Sequence, residues 1–315
     1  MHILTLNSSE IGQLLEADAL VDALAEGFKA LSGGQVDAPK RSEVSVPDTG
    51  SLLTMPAYQP GREITIKLVS IFHGNEQFGI PAHQALICLF DAQTGTPLAI
   101  MDGTYITALR TAGASALSTR LLARADARVL AIVGAGVQGQ AHLRMLPRVR
   151  DFLEIRISSG RFAHAKQLAA TDTRARAVET AEEAVRGADV VCLCTNAGEP
   201  VISADWLAPG AHVTSVGYRP PKGELDPRVI ERGRLFVETR LAFEPPPAGC
   251  GELAGFAPGT GTELGELLRD QSLGRQSRNE ITVYKAMGHA CEDMAAASLV
   301  YQRAKQRGIG RNVEL

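Results

Sequence analysis

Apolar positions along this 315-residue chain change period twice, and the changes divide it into three regions. Over residues 8–31, Leu20, Leu24, Phe28 and Leu31 recur at helical spacing, behind an Asn7–Glu10 pair with the form of a capping box. Ser32-Gly33-Gly34 ends that helix. From 38 to 102 the pattern shortens to strands punctuated by Pro and Gly. Ile64, Ile66, Leu68 and Phe72 alternate with Thr65, Lys67, Val69, Ile71 and His73 over one long strand. Apolar runs at 85–90 and 97–101 flank Asp91–Thr96 and predict a hairpin. This region reads as a helix with a largely antiparallel sheet.

Residues 104–124 predict a second helix, rich in Ala, Ser, Thr and Gly113, whose small residues allow close approach and a bridge to the next domain. From 128 onward strands and helices alternate. Strands are expected at 128–133, 153–158, 175–178, 189–194, 211–216 and 234–238, with helices at 137–148, 161–171 and 180–186. That alternation implies a Rossmann-type doubly wound parallel sheet. Pro245-Pro246-Pro247-Ala248-Gly249-Cys250-Gly251 fits neither a helix nor a central strand. Beyond it, Glu263–Arg269 and Ile281–Gln306 read as helices, the second long enough to return over the first domain.

The alternating region opens on Ala131-Ile132-Val133-Gly134-Ala135-Gly136-Val137-Gln138-Gly139-Gln140. Gly134 permits a tight turn, Gly136 lets backbone approach a pyrophosphate, and Gly139 lets the helix pack on the strand. Free N–H groups at the helix start, together with its dipole, then favour phosphate. The bland alternative is a tight turn with no ligand. An NAD-type site wants a carboxylate at the end of the second strand. Here that strand ends in Ile157-Ser158-Ser159-Gly160-Arg161, where Ser158, Ser159 and Arg161 would suit a 2′-phosphate. The expected cofactor is therefore NADP(H), with NAD(H) as the alternative, unless Arg161 merely begins a solvated helix. Thr195-Asn196 and Val216-Gly217 end later strands and line the same crevice.

A hydrophobic content of 45%, a charged content of 21% and a net charge of -3 describe an ordinary globular protein without the basic footprint of a nucleic-acid or anionic-membrane binder. No apolar run reaches membrane-spanning length, and a basic, apolar leader is not present, so a cytoplasmic location is expected. The five cysteines form no disulfide framework, and Cys192 and Cys194 read as small core residues rather than metal ligands. No metal is expected.

Several separate stretches resemble the ornithine cyclodeaminase/mu-crystallin family: Met55-Pro56-Ala57-Tyr58, Ile66-Lys67-Leu68-Val69, Thr107-Ala108-Leu109-Arg110-Thr111-Ala112, the glycine loop, Gly223-Glu224-Leu225-Asp226, and Lys285 to Asp293. The resemblance covers nearly the whole chain. It implies a homodimer, a nicotinamide cofactor, and a substrate-binding and dimerisation domain at 1–120 completed by 290–315, with the dinucleotide domain at 121–289. Cyclodeaminases of the family carry an aspartate where this chain has Arg219 and a glutamate where it has Leu53. These departures favour the family's reductases of cyclic ketimine carboxylates, which act on Δ1-pyrroline-2-carboxylate or Δ1-piperideine-2-carboxylate. The alternatives are an ornithine cyclodeaminase using bound NAD+, an alanine-type dehydrogenase, and a non-enzymatic NADPH-dependent ligand binder.

Such a reductase must anchor a carboxylate and keep an imine nitrogen protonated for hydride attack. Arg41, Lys67 and Arg110 match the family's carboxylate-binding positions. Lys67 also shares an inward strand face with Val69 and Ile71, which calls for an anionic partner, unless it is an edge-strand lysine. Arg110 lies near a helix start, or else in a surface or intersubunit ion pair. For the proton, Glu252 aligns with a family active-site glutamate, and His83 enters an apolar strand as a further candidate. Arg219 can orient or polarise substrate but cannot act as an acid.

Overall fold

The computed structural model describes residues 2–314, apart from the side chain of Glu76. The chain divides into two compact units, Met1–Arg110 with His289–Leu315, and Thr111–Gly288. The division falls inside the helix Gly103–Leu122, at Arg110.

The first unit is built on β1 (His2–Leu6), β2 (Ser42–Val46), β3 (Gly50–Ala57), β4 (Ile64–Ile71), β5 (His83–Phe90) and β6 (Pro97–Asp102). Strands β2 to β6 run antiparallel in sequence order, β1 joins β6 in parallel, and Arg311–Glu314 closes the far edge against β1. The two outermost N- and C-terminal strands carried too short a pattern to be read. Alternation sends Leu53, Met55, Lys67, Val69, Ala85 and Ile87 inward. There Leu53, Met55 and Val69 meet Ala290, Cys291 and Met294 of the helix Ala290–Arg307.

The stretch read as one helix over 8–31 is two, Ser8–Leu14 and Ala17–Ser32. A continuous helix in register with Ile11 and Leu14 would carry Asp18 and Asp22 onto the inward stripe. The break at Leu15–Glu16 resets the phase, so that Leu20, Val21, Leu24 and Phe28 are buried instead. The Asn7–Glu10 capping box is present as expected.

The second unit holds β7 (Val129–Val133), β8 (Glu154–Ser158), β9 (Ala175–Ala177), β10 (Val190–Leu193), β11 (His212–Ser215), β12 (Arg234–Val237), β13 (Gly261–Glu263) and β14 (Thr282–Lys285). All pair in parallel, in the order β13-β12-β14-β11-β10-β7-β8-β9. The chain winds outward from β7 in both directions, so β7 and β10 flank the switch point where a doubly wound sheet binds its ligand.

One reading fails here. Residues 281–306 do not form one helix, because Thr282–Lys285 is a strand between β11 and β12. All four residues are buried, as in any central parallel strand, so the run lacks the alternation that would have distinguished it. Gly288, at φ +74, turns the chain, and the helix begins only at Ala290. If β14 is central, Val283→Ala should lower unfolding free energy by about 2 kcal/mol in a denaturant titration. Leu153→Ala, at a 68% exposed position, should change it by less than about 0.5 kcal/mol.

Candidate functional site

In the second unit the carboxyl ends of β7, β8, β10 and β11 bring together the residues assigned to a dinucleotide. Gly134 N–H donates to Ser158 O at 2.8 Å, tying the glycine loop to the end of β8. Gly134 sits at φ +111, and a Cβ there would run into the Cys194 carbonyl. A Cβ on Gly139 would overlap the Gly134 carbonyl, so helix Val137–Met145 packs on its strand only with glycine there. Gly136, by contrast, faces open space. Ala135 is buried, Val137 exposed and Gln138 half-buried. A cleft of about 710 Å3 begins at Ala135, Gly136 and Val137 and continues along Gln140, His164 and Gln167, so only its first part borders the strand ends.

Ser158 Oγ is buried and, among the described residues, has no hydrogen-bond partner. Ser159 is half-buried and Arg161 exposed at the start of helix Phe162–Ala169. No carboxylate occupies 158–161. An orphan hydroxyl, open space over Gly136 and free N–H groups at the helix start together fit a phosphate-bearing dinucleotide.

Thr195, Val216 and Gly217 converge on a residue that sequence reading named only within a family stretch and gave no role. Glu224 is wholly buried and accepts from Thr195 N and Thr195 Oγ1, both at 2.7 Å. It also accepts from Ser215 Oγ at 3.0 Å, Val216 N at 3.1 Å and Gly217 N at 2.7 Å. Asn196 is exposed at the tip of the neighbouring turn.

Glu252, the expected proton donor, is buried in an ion pair with Lys285, and its Oε1 accepts from Leu225 N at 2.9 Å. Lys285 Nζ also donates to Gly217 O at 2.7 Å and to Ser215 Oγ at 3.1 Å. Burial raises the Glu252 carboxyl above its ordinary value, and Lys285 opposes the shift. Arg219 is exposed in the loop after β11.

In the first unit the structure gathers Lys67, Arg110 and His83 around a partner that sequence reading did not single out. Asp293, fully buried, lies 2.7 Å from Lys67 Nζ and 3.1 Å from Arg110 Nε, and Glu292 lies 3.1 Å from Arg110 Nη1. Lys67 is therefore no edge-strand lysine, since β4 lies between β3 and β5, and the residue is 2% exposed. Its inward charge is answered by the chain's own carboxylate. Arg110 is likewise no surface arginine. Arg41 precedes β2, two strands across the sheet from β4.

Desolvation drives the Lys67 ammonium down to about 8, with Asp293 countering in part. For Asp293, burial alone would raise the carboxyl, but Lys67 and Arg110 outweigh it and hold it below the ordinary value. His83 is lowered to about 4, first by desolvation and then by Lys67 and Arg110. The residue is nonetheless exposed, and the like charges of Lys67 and Arg110 act on it through that setting. His83 is then a neutral imidazole at neutral pH and a poor acid.

Asp293 and Glu292 went unread because two acids in a first helical turn are what the helix dipole favours anyway. Glu292 does fill that role, accepting from His289 N in a capping box.

A doubly wound sheet with a glycine loop at its switch point is the architecture of a dinucleotide-binding unit, carried here in one chain with a unit that holds a buried cation pair. The chain belongs to the ornithine cyclodeaminase/mu-crystallin family, whose profile matches residues 2–308. It is 36% identical to mouse (Mus musculus) ketimine reductase mu-crystallin over 305 residues, 94% of this chain and 96% of that one. Among solved structures, Thermococcus litoralis Δ1-pyrroline-2-carboxylate reductase, in complex with NADH and L-proline, superposes with a TM-score of 0.91 at 31% identity, covering 99% of this chain and 100% of that one. An archaeal alanine dehydrogenase dimer with bound NAD gives a TM-score of 0.92 at 29% identity over 100% of both chains.

The Asp293 pairing has a pH signature. Because its carboxyl is depressed in the folded state, its contribution is present above the unfolded value near 3.8 and fades as pH falls through the lower folded value. Asp293→Asn should cost about 3–5 kcal/mol at neutral pH, since it leaves buried cations under-compensated. Denaturant titrations across pH should show that deficit shrinking below about pH 4, as the unfolded-state carboxyl and then, at lower pH, the folded one takes up its proton.

Proposed function

We propose that the protein reduces a small cyclic ketimine carboxylate, Δ1-pyrroline-2-carboxylate or Δ1-piperideine-2-carboxylate, to proline or pipecolate with NADPH. The observation that carries this reading is the buried Lys67–Arg110 pair in one unit of a chain whose other unit has a dinucleotide loop. Binding a dinucleotide does not call for two buried cations, whereas an imino acid brings a carboxylate that can use them. Their charges are matched by Asp293 and Glu292, so an arriving carboxylate would share Lys67 or Arg110 with those acids.

When bound, the reduced nicotinamide supplies the hydride. Gly134 to Gly139, Thr195, Val216 and Gly217 would hold the dinucleotide. Ser158, Ser159 and Arg161 favour NADP(H) over NAD(H), since nothing at the end of β8 repels a 2′-phosphate. For the imine nitrogen, Lys67 Nζ is our choice of donor, since its ammonium, lowered by burial to about 8, still carries its proton at neutral pH. Glu252 is committed to Lys285 and Leu225, and Arg219 is left to orient substrate.

We further propose a homodimer through the outer face of the first sheet. Cross-strand register places Val44 beside Leu52, and Leu68 beside Leu86, on the face away from the helices. Val44, Leu52 and Leu86 are 64%, 40% and 51% exposed, a run of apolar surface suited to a second copy.

Purified protein should oxidise NADPH with either ketimine faster than NADH, at a rate falling as pH rises through about 8, where Lys67 loses its proton. Lys67→Met should reduce kcat/KM roughly 100-fold or more while NADPH still binds. No turnover with either ketimine, together with ammonia release from ornithine and NAD+, would install the cyclodeaminase in its place. Turnover of pyruvate with ammonia would instead favour the dehydrogenase. Leu86→Lys should convert a species of twice the chain mass to one of single mass in light scattering. A wild-type protein already of single mass overturns the dimer.

A further inference from the structure

Glu224 touches none of Arg41, Lys67 and Arg110, yet its carboxylate accepts five hydrogen bonds. Its two oxygens divide their work by strand. Oε2 takes both donors of Thr195, just beyond the end of β10. Oε1 takes Ser215 Oγ, Val216 N and Gly217 N, at the end of β11. A Cβ on Gly217 would collide with Glu224 and with the Thr195 carbonyl, so the two strand ends are drawn as close as their backbones allow. All five groups donate, and a carboxylate is the one side chain that can accept from both sides at once.

We propose that Glu224 is a positioning residue that sets the spacing of the β10 and β11 ends, and so shapes the nicotinamide half of the dinucleotide crevice without shaping the adenosine half. The topology separates the two. In a doubly wound sheet each mononucleotide half of the fold serves one half of the cofactor. Here the glycine loop, β7, β8 and β9 form one half, and β10 with β11 begin the other. Glu224 bonds only within the second.

Lys285 steadies the same place from below, donating to Ser215 Oγ and to Gly217 O. Glu252 in turn pairs with Lys285 and accepts from Leu225 N, next in sequence to Glu224. The residue expected to donate a proton thus stands in the support of this carboxylate.

The inference rests on the dinucleotide reading above, and its test separates the two. Glu224→Gln keeps the shape but turns one oxygen into an NH2 group, which faces N–H and O–H donors and can serve only one strand end. Titrations would compare NADPH with adenosine 2′,5′-bisphosphate, which carries the adenosine half alone. Wild type should bind both. Glu224→Gln should weaken NADPH roughly tenfold or more, as expected for lost hydrogen bonds to a charged group, and leave the bisphosphate unchanged. General damage to the unit would weaken both alike, and that result overturns the proposal, as does unchanged NADPH affinity. If Glu224→Gln yields no folded protein, Ser215→Ala, which removes one donor, should show the same selectivity in smaller degree, and its absence overturns the proposal. Wild type that binds neither probe overturns the cofactor reading itself.

Discussion

A buried charge must find a partner, and both units of this protein are arranged around that requirement. In the first, Asp293 lies between Lys67 of β4 and Arg110 of the helix Gly103–Leu122. Removing either cation from water without an anion would cost several kcal/mol. The C-terminal helix that carries Asp293 is therefore part of the first unit although 178 residues of the second unit, Thr111–Gly288, intervene in the chain. Its apolar side, Ala290, Cys291 and Met294, covers the same sheet. Packing places the helix; the acids fix its rotation.

In the second unit a carboxylate does the corresponding work with uncharged donors. Glu224 satisfies backbone N–H groups that emerge from β10 and β11, where the ladder of the parallel sheet has ended. Such groups would otherwise need water or ligand. The two carboxylates differ in consequence. Asp293 holds two cations, whereas Glu224 holds only uncharged donors. Glu252, bound to Lys285, is closer in kind to Glu224 than to an acid exposed for proton transfer.

The balance of charge around Lys67 also bears on chemistry. An ammonium near 8 is poised to hold or release a proton under ordinary conditions, and His83, lowered to about 4, is not. Burial, with the Arg110 guanidinium behind it, lowers Lys67, and burial together with the like charges of Lys67 and Arg110 lowers His83. Sequence reading had treated Lys67 and Arg110 chiefly as anchors for a carboxylate. Their mutual repulsion, relieved by Asp293, makes Lys67 a candidate for the proton as well.

Local pattern alone determined much of this protein. The period-two run through Lys67 predicted its inward face, the glycine spacing predicted a turn too tight for any Cβ at Gly134, and the alternation after 128 predicted a parallel sheet. Each of these depends on neighbours in sequence. What depended on distant residues was not legible. Thr282–Lys285 became a central strand because β11 and β12 supply its bonds on both sides, and burial on both faces erased the alternation that marks a half-exposed strand. Helix 8–31 broke because its second part turns Leu20, Val21, Leu24 and Phe28 inward, mainly against the C-terminal helix, and that stripe needs a new phase. Lys67 was visible as a charge needing an anion, but Asp293, 226 positions later, could be named only once tertiary packing had brought the two within 2.7 Å. Sequence carries the need for a partner; only the folded chain decides which residue meets it.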